Sequence, residues 1–486
     1  MRHLTLYEIN TALLARRFAR GQDLSLAQVP ATHWERLAAL GFDAVWLMGI
    51  WQRSAAARLE AVEHPGVRQD YDRALPDWTD DDIFGSPYAV GAYRIDPRFG
   101  SVADLLRLRA QCRDRGLGLI LDFVPNHLAR DHVWTIQHPE RFVRGSDESF
   151  GRAPELFFET AAGERLAHGK DPHFPPWTDT AQLNFYHPAT RQALIDELLQ
   201  IGELCDGVRC DMAMLALNDV FEGTWGWVSP GVRPHTELWE EVIATVRQRF
   251  PAFRFIAEAY WGLERRLIDL GFDYAYDRAL YDLLRTGDAA AVHGHLHHLG
   301  SRVDRYVHFT ENHDEERASA AFGDPRGRAA LIVVATLPGA TLLHDGQLEG
   351  RRIRMPVQLG REPVEAADPA LVAFYERTLR SCAGPVTDWQ LHPAAAAWPG
   401  NDSHRNLLVW SWRQLGRLRL VTINFGGSPA QGRVRLEPAC DGAVELQDLL
   451  DDEIYRRDAN ELREPGLFVE LGPWQAHLLT FEPGAA

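Results

Sequence analysis

Three carboxylates, two histidines and one arginine stand where short apolar runs give way to loops. Arg209 and Asp211 close the run Gly207-Val208-Arg209-Cys210-Asp211, and Glu258 closes Phe255-Ile256-Ala257-Glu258. His313 and Asp314 close Phe309-Thr310-Glu311-Asn312-His313-Asp314, and His127 follows Leu121-Asp122-Phe123-Val124-Pro125-Asn126. Arg209 and Asp211 are two apart, so on a strand they share one side. A guanidinium at that distance favours an ionised carboxylate. A carboxylate kept charged beside one kept protonated is what cleavage of a glycosidic bond requires. A single acid at a loop start reads as a solvated side chain. Three acids with two histidines and an arginine at successive run ends read as a site.

The elements that must position them follow from the apolar pattern. Eight short runs recur: Leu4–Ile9, Ala44–Ile50, Leu117–Val124, Gly207–Met212, Phe253–Tyr260, Phe272–Tyr276, Tyr306–Thr310 and Ala340–His344. Several are apolar almost throughout, as in parallel strands buried on both faces. Helical patterns separate them. In Ser101–Arg115, Ser101 and Asp104 have capping-box spacing ahead of a stripe assigned to Leu105, Leu106, Leu108 and Cys112. Eight strand–helix units predict an α/β fold, a (β/α)8 TIM barrel, whose functional residues sit past the C-terminal strand ends. Residues 51–100 and 125–185 are too long for simple turns, and such excursions are usually functional. After Cys382 the pattern alternates apolar and polar between Gly, Pro and Asp clusters, which predicts antiparallel strands. The expected organisation is a catalytic barrel over residues 1–385, with a short excursion domain after the third strand at about 125–185, and a C-terminal antiparallel β-sandwich domain over 386–486.

The 486 residues carry a formal charge of −17, which opposes nucleic-acid and anionic-membrane binding. Lys170 is the one lysine, a coding habit rather than a set of phosphate clamps. Cys112, Cys205, Cys210, Cys382 and Cys440 are odd in number and scattered, which suits free thiols in a reducing compartment. The N-terminus alternates like a strand and shows no signal-peptide pattern, and no apolar run is long enough to span a bilayer. A cytoplasmic protein is expected. No Walker loop or dinucleotide fingerprint occurs, so neither ATP nor NAD is expected.

At four strand ends the chain resembles glycoside hydrolase family 13, the α-amylase family. The segments Asp122–His127, Gly207–Asp211, Ala257-Glu258 and Glu311–Asp314 match its four motifs in order, and Gly85–Pro97 resembles the stretch that carries its aromatic sugar platform. The resemblance covers most of residues 1–385, and Leu420–Phe425 is similar to the family's C-terminal domain. It implies Asp211 as nucleophile, Glu258 as general acid/base, and Asp314 as the stabiliser of a distorted, oxocarbenium-like ring. It implies His127 and His313 bonding sugar hydroxyls, Arg209 orienting Asp211, Tyr88 stacking on the sugar, and Asp122 as a structural partner. The implied activity is retaining hydrolysis of α-glucosidic bonds in oligo- or polysaccharides through a glycosyl–Asp211 intermediate. Transglycosylation or sugar isomerisation is the alternative within the family, and a non-catalytic carbohydrate-binding or scaffold relative is a further one.

The sequence departs from the family pattern at three places. Gly85 stands where exo-acting members carry an Asp, although Asp81 and Asp82 are close. Met212–Leu215 follows the nucleophile where many endo-amylases carry Lys-His. Gln182 stands where an acidic residue, with Asn126, would bind the family's calcium. A hard cation prefers carboxylates, so no metal is expected there and no cofactor elsewhere. His293, His295, His297 and His298 read as a solvated helix face rather than a zinc site. Trp225 and Trp227 read as readily as core as they do as a sugar groove, and Trp134 and Trp177 are better pocket candidates. Glu311 binds substrate or holds its loop.

Overall fold

The computed structural model describes residues 4–21, 23–438 and 441–482. Eight parallel strands close into a barrel: β1 (Leu4–Asn10), β2 (Ala44–Met48), β3 (Gly118–Phe123), β4 (Gly207–Cys210), β5 (Arg254–Ala257), β6 (Tyr274–Tyr276), β7 (Tyr306–Phe309) and β8 (Ala340–His344). They neighbour one another in chain order, and β8 closes onto β1 with Leu4 opposite Ala340. Every residue of β1 and β2 is buried, because side chains on one side fill the barrel and those on the other pack under helices. The eight apolar runs are these eight strands.

Helices complete the units. In Val102–Arg113 the capping box forms: Ser101 Oγ accepts from Asp104 N–H, and Asp104 Oδ2 accepts from Ser101 N–H at 2.7 Å. Leu105, Leu108 and Cys112 are buried, whereas Leu106 is exposed. The 3–4 spacing of the buried three defines the stripe, and Leu106 lies one residue's rotation off it.

Both long connections fold over the strand ends. A short hairpin (Trp51–Arg53 with Val90–Ile95) follows β2. After β3, His127–Ala129 pairs antiparallel with Thr180–Gln182, and His127 sits opposite Gln182. Beyond residue 386 a six-stranded and a three-stranded antiparallel sheet share an apolar core that includes Val409, Leu420, Val434, Leu446 and Val469. The alternating stretch Leu467–Phe481 forms two strands, Leu467–Leu471 and Ala476–Phe481, split by a turn in which Gly472 N–H donates to Gln475. Thr387–Leu391 and Ile454–Asp458 are edge strands with mostly exposed residues; they have no apolar face to announce them. Cys112, Cys205, Cys210 and Cys382 are buried free thiols, and Cys440 lies outside the described residues.

Candidate active site

Arg209 is the hub. It projects from β4 into the barrel with its side chain 1% exposed. Its guanidinium lies 5.2 Å from the Trp46 ring centre, 5.3 Å from Tyr88 and 5.8 Å from Tyr276. Three ring faces offset part of the cost of burying the charge, and carboxylates offset the rest. Arg209 Nη1 donates to Asp211 Oδ1 at 2.7 Å, and Nη2 lies 2.7 Å from Glu258 Oε2. One planar fork thus holds two carboxyls from adjacent strand ends. Asp211 and Glu258 are each the first residue past their strand, in register because Asp211 N–H donates to Phe123 and Glu258 N–H to Cys210.

The two carboxyls are buried together and titrate as a pair. Burial, reinforced by the charges of Asp211 and Asp314, pushes Glu258 up to about 7 against the pull of Arg209. Burial also raises Asp211, with Arg209 opposing. The guanidinium therefore acts on Asp211 in the expected direction but does not outweigh desolvation, because it is shared.

Asp314 lies at the mouth, with its side chain about half exposed at 48%. Burial would raise its carboxyl, but His313 lowers it to about 2, so it is ionised. His313 Nε2 is 3.1 Å from Asp314 Oδ2 and 2.7 Å from the Tyr88 hydroxyl, while Nδ1 bonds Glu8. Burial opposes the imidazolium, but Asp314 and Glu8 raise its pKa well above the ordinary value. His127 is the contrast: burial lowers it to about 4, so it is neutral, and its ring lies 5.0 Å from Trp177. Tyr88 is partly buried and stacks on His313 at 5.5 Å. Asp122 is 1% exposed, accepts from Trp46 Nε1 and Gly49 N–H, and is pushed up to about 6 chiefly by burial. It is bound into the wall beneath the site.

All seven sequence-predicted residues therefore meet at one end of the barrel. Other candidates separate. Trp177 reaches His127, whereas Trp134 is covered by Arg141 and His132. Trp225 is core, and Trp227 packs on Phe157 and Arg152. Glu311 holds its loop: it pairs with Arg317 at 2.5 Å and accepts from Ala318 N–H. His295 turns inward to Asp277 at 2.9 Å, while His293 and His297 stack at 6.5 Å on the outer side. A wide cavity of about 550 Å³, lined by Arg109, Arg249 and Arg254, lies by the N-terminal strand ends, away from the carboxylates.

Three participants escape the sequence patterns. Glu8 is a charged residue in the wholly buried strand β1, and that mismatch was the available sign. Met212 has φ +43°, unusual for a side chain of its size, and its N–H donates to Glu258 Oε2 at 2.7 Å. The Tyr260 hydroxyl is 2.7 Å from Glu258 Oε1.

The family model described as "Alpha amylase, catalytic domain" matches residues 31–160. Alpha-amylase MalA of Haloarcula japonica is 27% identical over 364 residues, which are 72% of this chain and 44% of that protein. In sequence and fold the chain is similar to the α-amylase family, glycoside hydrolase family 13. Another relative, the alpha-1,4-glucan:maltose-1-phosphate maltosyltransferase of Rhodospirillum rubrum, is 28% identical over 49% of this chain and 30% of its own length. The chain thus spans less than half the length of these two curated relatives. The crystal structure of an alpha-amylase from Lactobacillus plantarum shares the fold, with TM-score 0.69 at 20% identity over 98% of each chain.

The family's calcium site can be tested on its own residues. Gln182 is fully buried, and its Nε2 lies 3.0 Å from Asn126 Oδ1, 2.9 Å from Asn126 O and 3.1 Å from Leu183 O. Its Oε1 faces the N–H of Lys170 and Nδ2 of Asn126, and these partners fix the amide's orientation. An NH2 group thus points at three oxygens that a cation would need, and among the described residues no carboxylate joins them. This donor set does not fit calcium. The position of the exo-type sugar cap is held by a glycine: Gly85 has φ +87°, and a Cβ there would meet the Arg58 backbone at 3.0 Å. Asp82 does not substitute, since Arg361 holds both its oxygens at 2.9 Å. Among the described residues, no helix is long and apolar enough to cross a membrane.

Proposed function

We propose that this protein is a retaining enzyme of the α-amylase family that cleaves α-glucosidic bonds of oligo- or polysaccharides. The observation that carries the reading is the single guanidinium that holds Asp211 and Glu258 together, Nη1 and Nη2 each at 2.7 Å. That proximity suits the retaining arrangement, with carboxyls about 5–5.5 Å apart, rather than the wider gap that admits an inverting water. The catalytic unit is residues 1–385, and 386–486 form an accessory β domain.

Asp211 Oδ1 is engaged by Arg209, so Oδ2 is the attacking oxygen. It bonds to the anomeric carbon as Glu258 gives its proton to the glycosidic oxygen and the leaving sugar departs. A glycosyl–Asp211 ester remains. Water or a sugar hydroxyl then attacks the anomeric carbon, Glu258 takes the proton, and the ester bond breaks with net retention. Asp314 and the His313 imidazolium bind sugar hydroxyls, neutral His127 bonds another, and Tyr88 supplies the ring face. The substrate is a neutral α-linked glucan or oligosaccharide, without nucleic acid, membrane or cofactor, in a cytoplasmic setting.

The attacker in the second step separates hydrolysis from transfer, and the relatives' names include both an amylase and a maltosyltransferase. The test uses maltose, isomaltose, sucrose, trehalose, maltoheptaose and starch, with and without added acceptor. Proton NMR should show the α-anomer first, and Asp211→Asn should abolish turnover with the fold intact. A β-anomer product, or strong activity in pure Asp211→Asn protein, overturns the reading. Lengthened products in the acceptor arm assign transfer.

A further inference from the structure

The two oxygens of the Glu258 carboxyl are not equivalent. Oε2 faces Arg209 Nη2 and Met212 N–H, both at 2.7 Å. Both partners are donors only, so Oε2 has no acceptor toward which to hold a proton. Oε1 has a different partner, the Tyr260 hydroxyl at 2.7 Å, which can donate or accept. Burial, then the charges of Glu258 and Asp314, hold the Tyr260 phenol well above its ordinary range; it stays a hydroxyl. The chain is bent to bring it there. Trp261 (φ +65°) and Gly262 (φ +75°) are both left-handed and turn the loop immediately after Tyr260. A tryptophan in that region is costly unless its surroundings hold it, and its ring packs edge-on against His173 at 4.7 Å.

We propose that the exchangeable proton of Glu258 resides on Oε1 and that Tyr260 is the positioning residue for it, aiming the acid at the leaving oxygen and donating to the carboxylate once the proton has gone. This rests on the assignment of Glu258 as acid/base. In the first displacement the proton leaves Oε1 for the glycosidic oxygen and the Tyr260 O–H supports the new negative charge. In the second, Oε1 takes a proton from water or the acceptor hydroxyl. Tyr260 itself neither gains nor loses a proton over the cycle. The other groups that set the charge at Glu258 are Arg209 and Asp211 from β4, Asp314 beyond β7 and Tyr276 from β6. Tyr260 differs from them in touching Oε1.

The hydroxyl bonds the ionised carboxylate more strongly than the neutral acid, so its removal raises the pKa of Glu258. In Tyr260→Phe the alkaline limb of kcat/KM should move up by about one pH unit. With an α-glycosyl fluoride, whose leaving group needs no acid, the variant should form the glycosyl–enzyme normally but resolve it several-fold more slowly at neutral pH, because less base is ionised. Intact-mass spectrometry should show the adduct accumulating. Tyr260→Phe should melt within a few degrees of the parent. As a readout independent of turnover, infrared difference titration of the Glu258 carboxyl, assigned with Glu258→Gln, should show the same upward shift. A limb and a titration both unmoved in Tyr260→Phe overturn the proposal. A parent protein that turns over none of the panel and forms no adduct on Asp211 overturns the underlying reading instead, and the infrared titration still decides whether Tyr260 governs Glu258.

Discussion

Arg209 Nη2 lies 2.7 Å from Glu258 Oε2 while its other terminal nitrogen holds Asp211. A lysine at this position would keep the charge but present one point rather than a fork. Arg209→Lys can therefore hold one carboxyl at a time. The expected result is a loss of at least about a hundredfold in kcat, the scale seen when a preorganised charge partner is removed, with KM much less affected. Steady-state kinetics on the preferred oligosaccharide check this, and activity within threefold of the parent contradicts it.

The pH profile follows from the same pair. The first displacement needs Glu258 protonated, and burial with Asp211 and Asp314 sets that proton's loss at about pH 7. The kcat/KM value should therefore fall as pH rises through about 7. The acid limb belongs to ionisation of Asp211, which burial raises. Since both carboxyls are shifted upward, the whole optimum should sit at higher pH than two ordinary carboxyls would place it. A plateau extending unchanged to pH 9 rules this out.

Much of this was legible because burial on both faces leaves a one-dimensional trace. β1, β2 and β3 are nearly continuous apolar runs, and the acids terminating β4 and β5 stand out against them. What stayed hidden depends on pairing across the barrel. Glu8 makes sense only beside His313, 305 residues away. Tyr260 falls in a run that resembles more strand, yet β5 ends at Ala257 and the next residues turn. Glu311 was ambiguous because the Arg317 that occupies it is a feature of packing. The edge strands Thr387–Leu391 and Ile454–Asp458 bury too little to leave a pattern.

Gln182 provides a test of the internal amide in place of a cation. Its Nε2 donates to Asn126 and Leu183 oxygens between 2.9 and 3.1 Å away. Chelator should change neither activity nor melting temperature. Gln182→Glu is nearly isosteric but replaces the donors with an oxygen facing three oxygens. The cost should be about 2–4 kcal/mol, from lost hydrogen bonds and an unpaired buried charge, read as a lower thermal midpoint. Because the new carboxylate also completes an all-oxygen set, calcium should restore part of that loss. A chelator-sensitive parent contradicts the account.

Glu8 carries the last prediction. It is fully buried, and its charge together with that of Asp314 keeps His313 an imidazolium despite burial. Glu8→Gln retains the shape and an acceptor but removes the charge. The His313 pKa should fall toward its ordinary value, so the imidazolium is lost as pH rises through the new, lower value. A group whose folded pKa is raised stabilises the protein most below its unfolded value, and that contribution fades as pH rises through the folded one. The Glu8→Gln variant should therefore be less stable than the parent at mildly acidic and neutral pH, and should lose less stability than the parent as pH rises from neutral into the alkaline range. Catalytically, a neutral His313 gives the sugar a weaker, uncharged hydrogen bond. The expected effect at neutral pH is a KM raised about tenfold or more, with recovery on acidification that the parent does not show. Nitrogen-15 shifts of labelled histidine should report the neutral ring directly. If His313 stays protonated in the variant at pH 8, Glu8 is not what holds the charge.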